Sequence, residues 1–158
     1  MFESSLKQVM KKYINWELLL KLVHKYRDEA EKCLDSEIYL AGLVSVRAAL
    51  ESLLQSRFLL ELFEWSEEEL KKYNIVISNN RIEIPSMPNL KTLIDEAYKS
   101  KLISKTGFDA AHRIRKWGNK IHPERIANMT RLPKIGRRNL KARLKDLDLV
   151  VKQMLRTI

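Results

Sequence analysis

A single cysteine, Cys33, leaves this chain of 158 residues unable to form an internal disulfide. A cross-linked scaffold is therefore excluded, and a reducing, cytoplasmic setting is the simplest expectation. The three histidines, His24, His112 and His122, do not combine with Cys33 at zinc-ligand spacing, so no metal and no other cofactor is expected. Glycine and proline number only four each, too few to punctuate an all-β chain. Near the start, Lys7, Lys11, Lys12 and Lys21 interrupt every apolar stretch, which argues for a soluble protein with no membrane partner. There is no glycine-rich phosphate loop and no serine elbow, which removes the commonest nucleotide-hydrolysing and esterase chemistries.

What the chain does have is basic charge, placed unevenly. Residues 101–158 hold 16 of the 30 Lys and Arg but only 4 of the 20 Asp and Glu. Between Arg113 and Lys145 the only acid is Glu124. Such a field attracts polyanions and weakens with salt, although basic stretches also occur as plain solvated helix faces.

The length suits one domain covering residues 1–158, able to bury about 70% of the surface its unfolded form exposes. Apolar residues recur at three- and four-residue intervals, which predicts helices over 5–13, 16–34, 37–63, 66–73, 89–100 and 137–156. Asn15 is placed to cap the second, and Ser66 with Glu69 forms a capping box for the fourth. The 37–63 segment is the most apolar, with Leu40, Leu43, Val44, Ala48, Leu50, Leu54 and Phe58 expected to fill the bundle centre. In the last helix Leu140, Leu144, Leu147, Val151 and Leu155 are expected to face inward. Residues 74–84 hold two β-branched runs about Asn79-Asn80, which predicts a small β-hairpin insertion. Residues 124–136 read as a loop. The expected fold is all-α, a helical bundle carrying that hairpin.

A further amphipathic segment runs through Arg115-Lys116-Trp117-Gly118-Asn119-Lys120-Ile121-His122-Pro123. At about 100° per residue, Arg115, Asn119 and His122 fall within about 60° of one another, with His112 beside them. Ala111, Ile114, Trp117, Gly118 and Ile121 form the neighbouring apolar face, and Arg113, Lys116 and Lys120 a third side toward water. A guanidinium, an amide and an imidazole in one stripe are suited to a phosphate group. His122 offers a proton-transfer group near neutrality, Arg115 a fixed planar charge, and Asn119 an orienting amide. The axial rise from Arg115 to His122 is about 10 Å, so the two converge only if the arginine leans along the helix or a second copy faces the first.

Two blocks in this order resemble the HEPN superfamily of helical domains. The first is Leu43-Val44-Ser45-Val46-Arg47-Ala48-Ala49-Leu50-Glu51; the second runs from Asn89-Leu90-Lys91-Thr92-Leu93-Ile94-Asp95-Glu96-Ala97 through Leu102-Ile103 to the Arg115–His122 stretch. The chain is most similar to an uncharacterised branch of the superfamily, fused to restriction-enzyme subunits and other defence proteins. The resemblance implies a HEPN-like bundle in a defence or toxin–antitoxin type system, acting on RNA or another nucleic acid. It also implies a homodimer, with an antitoxin or larger defence protein as a further partner. Superfamily ribonucleases carry an arginine and a following histidine with four to six residues between them, and Arg115 and His122, with six between, fit the upper limit. That implies a metal-independent endoribonuclease centre at Arg115, Asn119 and His122. In those enzymes a polar residue commonly follows the arginine directly, whereas here Lys116 does.

The same residues admit other readings. Asn119 and His122 also suit backbone capping, and Arg115 a pairing with Glu51, which would make the stripe architectural. Phosphate contact without chemistry is a third reading, with Arg113, Lys116, Lys120, Arg137, Arg138 and Lys141 as the expected nucleic-acid contacts. Arg47 and Glu51, one turn apart, are expected to form a structural ion pair.

Overall fold

The computed structural model describes residues 16–62, 64–72, 76–78, 81–83 and 87–156. The fold is all-α. Seven helices appear among these residues: α1 (Trp16–Asp35), α2 (Tyr39–Leu62), α3 (Glu67–Lys72), α4 (Leu90–Lys99), α5 (Lys105–Lys120), α6 (Pro123–Ile126) and α7 (Arg137–Leu155). Between α3 and α4, β1 (Val76–Ser78) pairs antiparallel with β2 (Arg81–Glu83), Ile77 opposite Ile82. The rest of the 74–84 segment, the 5–13 helix and the Asn15 cap lie outside the described residues.

Helix α2 is the centre because it is apolar on nearly every side. It buries Leu43, Val46, Ala49, Leu50, Leu53, Leu54, Phe58, Leu59 and Leu62, and it packs against α1, α4, α5 and α7. Two of the side chains expected in that centre are not there: Leu40 is 53% exposed and Val44 54%. Ala48 is half-buried. A helix apolar all round has no periodicity to choose an inward face, and tertiary packing makes the choice instead.

Helix α1 lies antiparallel to α2 and turns toward it a stripe of Trp16, Leu19, Leu20, Val23, Tyr26, Ala30 and Cys33, spaced three and four apart. It is tied to α7 by Arg27, whose Nε donates to Asp148 Oδ1 at 2.7 Å while Nη1 reaches Glu31 at 3.0 Å. Helix α4 buries Leu90, Leu93, Ile94 and Ala97, the set its spacing predicts. Its first turn is capped by Asn89, whose Oδ1 accepts from the Thr92 N–H at 3.0 Å. The expected capping box opens α3: Ser66 N–H donates to Glu69 Oε2 at 2.8 Å and Glu69 N–H to Ser66 Oγ at 3.3 Å.

Helix α7 buries Leu140, Leu144, Leu147, Val150 and Met154. Val151 is only half-buried and Leu155 is exposed, so the inward stripe slides one residue back from the expected one. Its period is close to 3.5, the repeat of helices that wrap around their neighbours. The expected loop over 124–136 also contains a turn of helix, α6, seated on Pro123. Among the described residues no helix is long and apolar enough to cross a membrane.

Candidate phosphate-binding groove

Helix α5 is capped at its start by Ser104, whose Oγ accepts from Gly107 N–H, and ends at Lys120, with Ile121 as its C-cap. The stripe predicted to run through His122 is therefore broken before the imidazole. His122 sits in extended conformation (φ −70°, ψ 133°) as the N-cap of α6, with no side-chain capping bond. It is exposed and does not line the groove that holds Arg115 and Asn119. The cause is local: Pro123 disfavours helical geometry at the residue before it, and its own fixed φ starts a new helix.

The shallow groove measures about 320 Å³ and is lined by Arg47, Asn89, Leu90, Lys91, Arg115 and Asn119. Three helices supply it. From α2, Arg47 donates through Nε to Glu51 Oε1 at 3.0 Å and through Nη1 to Asn119 Oδ1 on α5, also at 3.0 Å. The expected Arg47–Glu51 pair is present, and it is Arg47, not Arg115, that pairs with Glu51.

Arg115 is held by a second chain of bonds. Its Nε donates to His112 Nδ1 at 3.2 Å, and His112 Nε2 lies 3.2 Å from Asp95 Oδ1 on α4. Because Nδ1 accepts, Nε2 carries the proton and donates to Asp95. Burial pushes the His112 pKa below its ordinary value, with Asp95 pulling against that shift. Phe108 sits edge-on to the imidazole at 4.4 Å between centroids. The result is a neutral imidazole that orients a guanidinium.

The remaining basic residues named from the sequence are placed elsewhere. Arg113 turns to α7, where Nε and Nη2 grip the two oxygens of Asp146 at 3.1 and 2.6 Å. Asp146 lifts the Arg113 pKa above its ordinary value. Lys116 is exposed, and Lys120 Nζ rests over the Trp117 ring 4.5 Å from its centroid. Arg137, Arg138 and Lys141 are exposed along the first turns of α7, away from the groove lining. Sequence reasoning missed Lys91 and Asn89 as groove residues and Asp95 as the support of His112. The i, i+3 spacing of His112 and Arg115 was the available signal for that contact; nothing local to Lys91 announces the tertiary approach of α4.

Chemically, the groove offers two guanidinium groups, an ammonium and two amides, with Glu51 holding Arg47 directly and Asp95 holding Arg115 through His112. That arrangement suits a phosphate oxygen. Among the described residues no three His, Cys, Asp or Glu side chains gather as a metal site. No family model matches the chain, and no curated protein or solved structure matches it.

Proposed function

We propose that this chain is a HEPN-like helical domain, with a small hairpin insertion, that binds nucleic acid as part of a defence or toxin–antitoxin type system. A backbone phosphate is seated between Arg47, Lys91, Arg115 and Asn119. The observation that carries the reading is the convergence of basic side chains from α2, α4 and α5 on one groove, in a chain with net charge +10. The defence setting and an antitoxin or larger defence protein as partner rest on the resemblance of the two sequence blocks.

A metal-independent endoribonuclease centre at Arg115, Asn119 and His122 is the second reading. In its favour, Arg115 and Asn119 share the groove. It requires His122 to arrive from a facing copy in a two-fold homodimer, for which α2 offers Leu40 and Val44, an exposed apolar pair one turn apart. Labelled single-stranded RNA, titrated in EDTA at several salt concentrations, separates the two. Salt-sensitive binding that weakens in Arg115→Ala, with the RNA recovered intact, supports the binding reading. EDTA-resistant cleavage that disappears in His122→Ala supports the nuclease reading. Absence of any binding at low salt refutes both.

A further inference from the structure

A second concavity lies further along α2, where its C-terminal half meets α4. Arg57 stands ten residues beyond Arg47 on α2, an axial rise of about 15 Å, and the cavity shares no lining residue with the groove. It encloses about 120 Å³. The floor is apolar and buried, made of Leu54, Phe58, Leu93 and Ala97. Trp65 closes one side, edge-on to Phe58 with ring centroids 5.8 Å apart.

The rim carries charge of both signs: Arg57 and Glu61 one turn apart on α2, and Glu96 on α4. These groups are poorly matched to one another. Arg57 Nε is buried and has no hydrogen-bond partner. The Glu61 carboxylate stays 3.6 Å from it, too far for a hydrogen bond. Burial and the neighbouring Glu96 charge both hold the Glu61 pKa above its ordinary value, against the opposing pull of Arg57. Lys99 binds Glu96 at 3.1 Å, but both side chains are well exposed there, so water screens that pair.

Each feature narrows the class of guest. The partly exposed Arg57 guanidinium, only loosely paired with Glu61, suits an anionic acceptor, and the Glu61 and Glu96 carboxylates on the same rim suit a cationic donor. The floor calls for a compact apolar body. A plain amine leaves Arg57 unserved, and a plain carboxylate meets Glu61 and Glu96 with nothing to offset them. A cavity of about 150 Å³ lined by apolar side chains holds a benzene ring, which sets the scale for a four- to six-carbon side chain here.

We propose that this cavity binds a free hydrophobic α-amino acid of about leucine size. Its carboxylate lies on Arg57, its ammonium between Glu61 and Glu96, and its side chain over Leu54, Phe58, Leu93 and Ala97. The ligand adds an acceptor for the loosely paired Arg57 guanidinium and a donor for the two carboxylates, and it displaces water from the apolar floor.

The test uses the full chain and three isosteric probes: leucine, 3-methylbutylamine, which lacks the carboxylate, and 4-methylpentanoate, which lacks the ammonium. Calorimetric titration is expected to show leucine binding at least about tenfold more tightly than either analogue, the loss expected for one charge-assisted contact. Arg57→Met is expected to remove the preference for leucine over the amine, and Glu61→Gln to weaken the preference over the acid. Ala97→Ile, which fills the floor, is expected to abolish binding of all three. No binding of leucine at millimolar concentration, or equal binding of leucine and the amine to the unaltered protein, overturns the proposal. The probe series alone decides it if a variant fails to fold.

Discussion

Arg47 on α2 and Asn119 on α5 are joined by a 3.0 Å hydrogen bond that runs directly over Gly118. A Cβ at position 118 would meet Arg47 Cδ at 2.5 Å and Nη1 at 2.9 Å. The glycine is thus the space through which the arginine reaches across. Gly118 is buried in the last turns of α5, where the chain would otherwise gain from any residue with a side chain.

Gly118→Ala follows from that contact. In an unconstrained helix interior the change stabilises by about 1 kcal/mol. Here the new methyl evicts Arg47 and breaks its bond to Asn119, so urea unfolding is expected to show no gain or a net loss. In an Arg47→Ala background the same substitution is expected to recover its ordinary gain of about 1 kcal/mol. Equal effects in the two backgrounds would show that Arg47 does not occupy that space.

Asp146 makes a second prediction. Its carboxylate is buried between Arg113, which grips both oxygens, and Arg143, whose Nε lies 2.8 Å from Oδ2 without hydrogen-bond alignment. The Arg143 side chain is itself only 12% exposed, and burial already lowers its pKa. Asp146→Asn strands that cation, and is expected to cost about 2–3 kcal/mol by denaturant unfolding. Arg113→Ala removes a half-exposed partner and is expected to cost about 1 kcal/mol or less. The reverse order would show that Arg143 does not depend on Asp146.

His112 ties stability to pH. Its folded-state pKa is depressed, so the folded protein disfavours the imidazolium while the unfolded chain accepts a proton near the ordinary value of 6.5. Its contribution to stability is complete above that value. It falls as pH drops from about 6.5 toward the depressed folded-state pKa, and is flat below it. Denaturation midpoints between pH 7.5 and 5 are expected to lose part of their slope in His112→Gln. An unchanged slope would remove His112 as its source.

The inward faces of α4 and α5 were legible in large part because each helix has one apolar side. The centrality of the 37–63 segment was legible too, but not its orientation, since α2 is apolar on nearly every side and leaves Leu40 and Val44 outside. In the groove, Arg115 and Asn119 came from periodicity within one helix. Lys91 and the Asp95–His112 contact depend on how α4 approaches α5, which no local pattern encodes. The break before His122 was signalled by Pro123, yet the helical wheel carried the stripe two residues past the end of α5.

Helix ends show the same limit. Glu37 and Lys101 both adopt left-handed backbone, with φ of 60° and 59°, at positions where glycine would ordinarily mark the end of a helix. After each, the chain closes back on the helix: Ile38 N–H donates to the Cys33 carbonyl at 2.8 Å, and Leu102 N–H to the Ala97 carbonyl at 2.9 Å. Glu37→Gly and Lys101→Gly are each expected to raise stability by up to about 1 kcal/mol, since the strain of a side chain in this region outweighs the added freedom of the unfolded chain. A loss of stability in both would mean that those two side chains hold contacts worth more than the strain.

The groove predicts a specific salt signature. Each phosphate neutralised on single-stranded RNA contributes about 0.7 to the slope of log affinity against log salt. Arg115→Ala and Lys91→Ala are each expected to lower that slope by about this amount and to weaken binding at every sequence tested, as backbone contacts do. His122→Ala is expected to change neither slope nor affinity, because His122 stands outside α5 and outside the groove lining. Arg113→Ala is expected to alter stability more than binding, since both oxygens of Asp146 already hold its guanidinium. A full loss of binding in His122→Ala with the slope intact in Arg115→Ala would move the nucleic-acid contact away from the groove and onto the α5–α6 turn.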